Sequence, residues 1–184
     1  MLLQYETSRL ILKVLGPDYS YDVLRFYLKD KELFEKYETD RSPNFYTEGH
    51  QRNILHVEYG LCLKLQQVRF YVFLKEDPST IIGTVCLYDI SKVYSRADVG
   101  YKFSSQYQHQ GYASEAVEKL LDIAFTDLNL HRICARVVAD NHPSLRLLEN
   151  LGFEKEGICR DYIQLGGIWT DHLQYSLLAP ELYV

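Results

Sequence analysis

The chain has 184 residues, 47% of them hydrophobic and 24% charged, a composition that suits one globular domain with a full core and excludes a disordered or fibrous chain. Its net charge of −5 comes with Lys and Arg scattered along the chain, so neither a nucleic-acid-binding arm nor a polybasic membrane anchor is expected. No apolar stretch approaches the roughly 20 residues of a bilayer span, and the N-terminus lacks a basic and apolar leader pattern, so a cytoplasmic protein without a membrane partner is expected.

In chain order, residues 9–15 read as a strand, and Gly16-Pro17-Asp18 ends it before an amphipathic helix over 19–29 that Asp18 or Ser20 would cap. A short helix over 32–37 leads through Arg41-Ser42-Pro43-Asn44 into a longer one over about 48–65, whose Ile54, Leu55, Glu58, Leu61, Cys62 and Leu65 fall mostly on one face. The period then changes. Residues 68–75 and 81–90, rich in β-branched and aromatic side chains, flank Asp77-Pro78-Ser79 as a hairpin. A run over 97–103 gives way to a polar loop, 104–110, and then to a helix in which Ala113, Ala116, Val117, Leu120, Leu121, Ala124 and Leu128 recur at helical spacing. Another β run, 132–138, follows; strand, helix and strand in that order imply two parallel strands joined by a right-handed crossover. Asn141-His142-Pro143-Ser144 opens a helix over 145–151 that Gly152 ends, and two last runs, 153–163 and 169–178, flank Gly166-Gly167 as a second hairpin.

The sharpest local feature is Gln108-His109-Gln110-Gly111-Tyr112-Ala113, a polar loop with a glycine where a strand hands over to an amphipathic helix. Free N–H groups and the positive dipole end of that helix would hold an anion, and a missing side chain would let a phosphate come close; the plainer reading is that Gly111 makes a turn. The segment is neither GxGxxG nor a P-loop ending in GK[ST], which disfavours a nucleotide dehydrogenase or NTPase. Cys62, Cys86, Cys134 and Cys159 lie far apart with no CxxC, so reduced thiols are expected and no metal. Cys134 and Cys159, within β runs, read as buried small side chains and not as nucleophiles.

Gln108, Gly111 and Ala113 match the Gln/Arg-x-x-Gly-x-Gly/Ala signature. With the strand Val99-Gly100-Tyr101 before them, and Asn141-x-x-Ser144 with Leu147-Leu148-Glu149-Asn150-Leu151-Gly152-Phe153 after, the chain resembles the GNAT superfamily of acetyl-CoA-dependent N-acetyltransferases. The opening Thr7-Ser8-Arg9-Leu10-Ile11-Leu12 and the closing Gly167-x-Trp169-x-Asp171 are similar to its ribosomal-protein N-terminal acetyltransferase branch. The resemblance implies one acetyltransferase domain over 1–184 and a mixed, mostly antiparallel sheet of about seven strands flanked by helices, with one parallel pair that splays to admit CoA. It implies that Val99, Gly100, Tyr101, Gln108, His109, Gln110, Gly111, Tyr112, Ala113, Asn141 and Ser144 bind acetyl-CoA, and that a backbone N–H near Gly100 or Tyr101 holds the oxyanion.

Many relatives place a tyrosine five positions before the Phe of the Gly-Phe pair, where this chain has Leu148. Ser144, one turn earlier, is then the acid that the branch implies, although Asn141 and Ser144 both also suit capping. Asp161 stands where some relatives carry an acidic base, against a reading as a solvated strand carboxylate; Asp171 and His172 follow on the paired strand. His109 and His131 are expected at CoA phosphate or a helix end, and Trp169 in packing. The resemblance implies a primary amine as acceptor, with a peptide N-terminus as the first expectation. A polyamine, amino sugar or amine antibiotic is the alternative, faintly favoured by the acidic net charge, and a non-catalytic CoA-binding module is the third reading. Monomer and homodimer stay open.

Overall fold

A computed structural model describes residues 1–180, and in it every β run joins one eight-stranded sheet. The strands are β1 (Gln4–Glu6), β2 (Leu10–Lys13), β3 (Val68–Leu74), β4 (Ile81–Ser91), β5 (Arg96–Phe103), β6 (Arg132–Val138), β7 (Glu154–Leu165) and β8 (Ile168–Leu178), in spatial order β1-β2-β3-β4-β5-β6-β8-β7. Neighbours are antiparallel except β5 and β6, the parallel pair that the strand-helix-strand order requires. The strand beyond the expected seven is β1, whose three residues are too few to show a period.

The helices are α1 (Ser20–Lys29), α2 (Lys31–Glu35), α3 (Glu48–Leu63), α4 (Tyr112–Asp122) and α5 (His142–Asn150). Neither Asp18 nor Ser20 caps α1. Tyr19 holds the cap position without a side-chain bond, Asp18 belongs to the 3₁₀ turn Pro17–Tyr19, and the Ser20 hydroxyl donates to Glu48 at 3.1 Å. The crossover helix is shorter than its apolar repeat, because residues Ile123–Asp127 widen into a π turn closed by Leu128 N–H to Ile123 C=O at 3.1 Å.

Alternation along the strands sorts side chains to two faces. Phe70 and Val72 join Ala97, Val99, Ile133 and Ala135 under α4, which contributes Ala116, Val117, Leu120 and Leu121, and under α5, which contributes Leu148. Tyr71 and Phe73 point the other way, onto Val23, Phe26, Phe34 and Leu55 of α1, α2 and α3. This second cluster includes no residue of β5 to β8, so the right half of that face carries polar side chains instead.

The parallel pair holds over three positions only, Arg96–Arg132, Ala97–Ile133 and Asp98–Cys134. Beyond them β5 stays laddered to β4 as far as Phe103 and β6 to β8 as far as Val138, while their facing edges form no ladder with each other. The sheet is intact on either side of an open seam.

Candidate active site

A cleft of about 910 Å³ fills that seam. Val99, Gly100 and Tyr101 line it from β5, residues 135–138 from β6, Gln108, His109, Gly111, Tyr112 and Ala113 from the loop and the start of α4, and Asn141 and Ser144 from the start of α5. Of the expected coenzyme contacts only Gln110 stays off the wall; its carbonyl accepts from Arg9 Nη1 at 3.0 Å and its amide nitrogen donates to the Gln106 carbonyl at 2.9 Å.

The loop is shaped by two left-handed residues, His109 (φ 60°) and Gly111 (φ 78°), the second of which is the α4 N-cap and offers no side-chain bond. A Cβ at position 111 would be strained by that φ and would press on Arg9 Nη2 at 3.3 Å. Among the described residues the backbone N–H groups of 109–114 find no protein acceptor, and the first α4 bond outward is Glu115 N–H to Gly111 C=O at 3.1 Å. These unpaired donors at a helix start make an anion site.

Glu115 fixes the loop from behind. Its carboxylate accepts from the Thr7 hydroxyl (2.5 Å), the Ser8 hydroxyl (2.9 Å), Arg9 N–H (2.9 Å) and Arg9 Nε (2.7 Å), while the Arg9 guanidinium lies 4.5 Å from the centre of the Tyr112 ring. Burial alone would raise the Glu115 pKa, but these donors outweigh it and hold the carboxyl at about 2.

At α5, Asn141 is the cap, its Oδ1 accepting from Ser144 N–H at 3.4 Å. Ser144 lines the cleft, with its side chain beside the Tyr101 hydroxyl. The Tyr101 hydroxyl reaches across to donate to the Ser144 carbonyl at 3.3 Å; burial, opposed by the Ser144 side chain beside it, raises its pKa to about 12, so it keeps its proton at neutral pH. Leu148, in the tyrosine slot, is fully buried in the core.

The far end of the cleft is lined by Glu38, Arg69, Lys102, Tyr88, Tyr162 and His172. His172 is 4% exposed, with Nδ1 3.1 Å from the Thr170 carbonyl and its ring 5.0 Å from that of Tyr162. A carbonyl only accepts, so Nδ1 carries the hydrogen and Nε2 of the neutral ring keeps a lone pair. The structure does not bring Asp161 to the cleft. It is exposed, at φ 46°, in a bulge between Cys159 and Ile163, and its N–H donates to Asp171 Oδ1 at 2.8 Å. His131 and Trp169 are exposed away from the cleft, and all four cysteines are free thiols. Sequence reading passed over Lys102, Asp98 and Arg136, whose signal was available: charged residues inside otherwise apolar β runs. Among the described residues no group of three or more His, Cys, Asp or Glu could hold a metal ion, and no helix is long and apolar enough to cross a membrane.

Residues 9–154 match the family model described as Acetyltransferase (GNAT) domain. The chain belongs to the GNAT acetyltransferase family. It is 38% identical over 175 residues to the uncharacterized N-acetyltransferase p20 of Bacillus licheniformis, covering 95% of this chain and 96% of that one. It is 26% identical to the [ribosomal protein uS5]-alanine N-acetyltransferase of Escherichia coli, covering 95% and 90%. The ribosomal-protein-S5-alanine acetyltransferase of Vibrio fischeri superposes with a TM-score of 0.92 at 27% identity over 100% of both chains. As a GNAT member the chain is an N-acetyltransferase, and the family implies acetyl-CoA as the acyl donor. The parted parallel pair is the family's splayed sheet.

Proposed function

We propose that this GNAT enzyme acetylates the N-terminal α-amine of a polypeptide, with the N–H groups of 109–114 holding the pyrophosphate of CoA and the open edges of β5 and β6 holding its pantetheine arm. The observation that carries this reading is the row of unpaired amides at one mouth of a cleft that runs through the seam to a buried imidazole. A polypeptide acceptor is supported by a further recess of about 430 Å³ lined by Tyr37, Val138, Asp140, Leu165, Thr170 and Asp171. It shares Lys36, Tyr37 and Val138 with the cleft, so it prolongs the acceptor end outward, where a chain following the reacting amine would lie. The similarity to two S5-alanine acetyltransferases points the same way.

When bound, acetyl-CoA supplies the activated acyl group. The protein's part is to orient it, to take one proton from the amine and to give one to the leaving sulfur. His172 is the base, since its ring lines the cleft and the Thr170 carbonyl occupies Nδ1, which leaves Nε2 as the nitrogen with a lone pair. Ser144, with Tyr101 beside it, is the acid. A main-chain N–H at Gly100 or Tyr101 meets the developing oxyanion, a contribution of about 3 kcal/mol where such a donor is fixed in place.

Thiol release from acetyl-CoA with alanine-headed peptides tests the reaction, and Gly111→Glu tests the site. A carboxylate and a strained φ in the anion site should weaken CoA binding by at least ~100-fold in calorimetry while the fold survives. Unchanged affinity would overturn the assignment.

A further inference from the structure

At the acceptor end, three cations and two carboxylates are packed together. Glu38 takes both Lys102 and Arg41, and Glu58 takes Arg69 at 2.6 Å. Among the directly paired groups cations outnumber carboxylates by one, the next carboxylate, Glu35, standing behind the Tyr46 hydroxyl, and little water reaches them: side-chain exposure is 16% for Lys102, 10% for Arg41 and 21% for Arg69. Arg41 Nη1 is buried without a hydrogen-bond partner. The rings nearby soften the surplus without neutralising it; Lys102 Nζ lies 5.3 Å from the Tyr27 centroid and 5.7 Å from that of Phe34, and the Arg41 guanidinium 4.1 Å from that of Phe45. On the same sheet face Arg136 and Asp98 form a pair of their own and leave the count unchanged.

Lys102 registers the imbalance. Burial, with Arg69 and Arg41 acting in the same direction against Glu38, lowers its pKa to about 8. An unbalanced buried cation costs folding free energy, and this one opens onto the cleft through Lys102 and Arg69.

Resting on the transferase reading above, we infer that this pocket selects an acceptor with a carboxylate close to its reacting amine, such as a polypeptide N-terminus followed by acidic residues, and excludes polyamines. The carboxylate would complete the charge balance beside Lys102 and Arg69. The same field repels a second ammonium. The acidic net charge of the chain points the opposite way, and the near field decides because distant surface charges are screened.

Binding to the CoA-loaded protein, which requires no turnover, is the test. The peptides Ala-Glu-Asp and Ala-Lys-Arg, and spermidine, are titrated by calorimetry after CoA itself. Ala-Glu-Asp should bind at least ~10-fold tighter than the other two. Lys102→Gln leaves Glu38 paired with Arg41 and the cluster neutral, so the preference should shrink to within ~2-fold; Lys102→Arg should keep it. Glu38→Gln raises the surplus and should widen it, an opposite shift that a merely structural role would not produce. Equal affinities, no binding by any acceptor, or tighter binding of Ala-Lys-Arg or spermidine would overturn the inference. Failure of CoA to bind in the first titration would instead overturn the transferase reading.

Discussion

His172 and Asp161 belong to one hairpin, and the bulge between Cys159 and Ile163 decides which of them can take a proton. Three residues, 160–162, stand against Asp171 alone, so the strict alternation that would send Asp161 inward is broken and its carboxylate is left in solvent. His172→Gln should lower kcat by about 100-fold with little change in acetyl-CoA affinity, whereas Asp161→Asn should leave kcat within about 2-fold. Comparable losses in both variants would return the base role to the carboxylate. Ser144 poses the companion question of acid or cap, which two polar residues opening a helix cannot answer by spacing alone. The structure separates the roles: Asn141 Oδ1 caps by accepting the Ser144 backbone N–H, a bond that Ser144→Ala keeps. Ser144→Ala should therefore reduce kcat without lowering Tm, and Asn141→Ala should cost about 1 kcal/mol of stability. A lowered Tm in Ser144→Ala would mark the hydroxyl as structural.

Among elements, α4 was the most legible, because one buried stripe on a two-sided environment prints a 3.6-residue period. The hairpins and the parallel pair were legible for the same reason, each following from local alternation and connection length. What escaped was set by contacts distant in sequence. Ser20 at the start of α1 bonds to Glu48 instead of capping the helix, and β1 pairs with β2. The tie between the N-terminal Thr7-Ser8-Arg9 and Glu115 spans more than a hundred residues. That tie makes α4 a rigid mount for the anion loop, and it titrates. Because Glu115 has a pKa of about 2 when folded against an ordinary 4.5, its contribution is fully present above the ordinary value and is lost as pH falls toward the folded one. Glu115→Gln should therefore lower Tm at neutral pH, with the gap to the parent narrowing as pH drops from about 4.5 to about 2. A gap that stays constant across this window would show that the carboxylate charge contributes nothing.

For the whole molecule, the seam divides the sheet into β1 to β5 on one side and β6, β8 and β7 on the other, joined in the sheet by three residue pairs. The ion pair of Asp98 and Arg136 stands where the strands begin to part, with Asp98 only 5% exposed and the guanidinium 5.1 Å from the Tyr162 ring centre. It ties the two halves at the base of the fork. Asp98→Asn keeps the shape and removes the charge, leaving Arg136 half-desolvated without its counter-ion. The expected cost is about 3 kcal/mol in denaturant unfolding, since a broken buried pair strands the remaining charge. If the pair holds the fork, amide exchange should accelerate in β6 and β8 more than in β3 and β4, and CoA affinity should fall by about 10-fold as the unpaired edges lose their fixed separation. Uniform acceleration across the sheet with unchanged CoA affinity would reduce the pair to a contributor to global stability, and the width of the cleft would then have to be held by α4 alone.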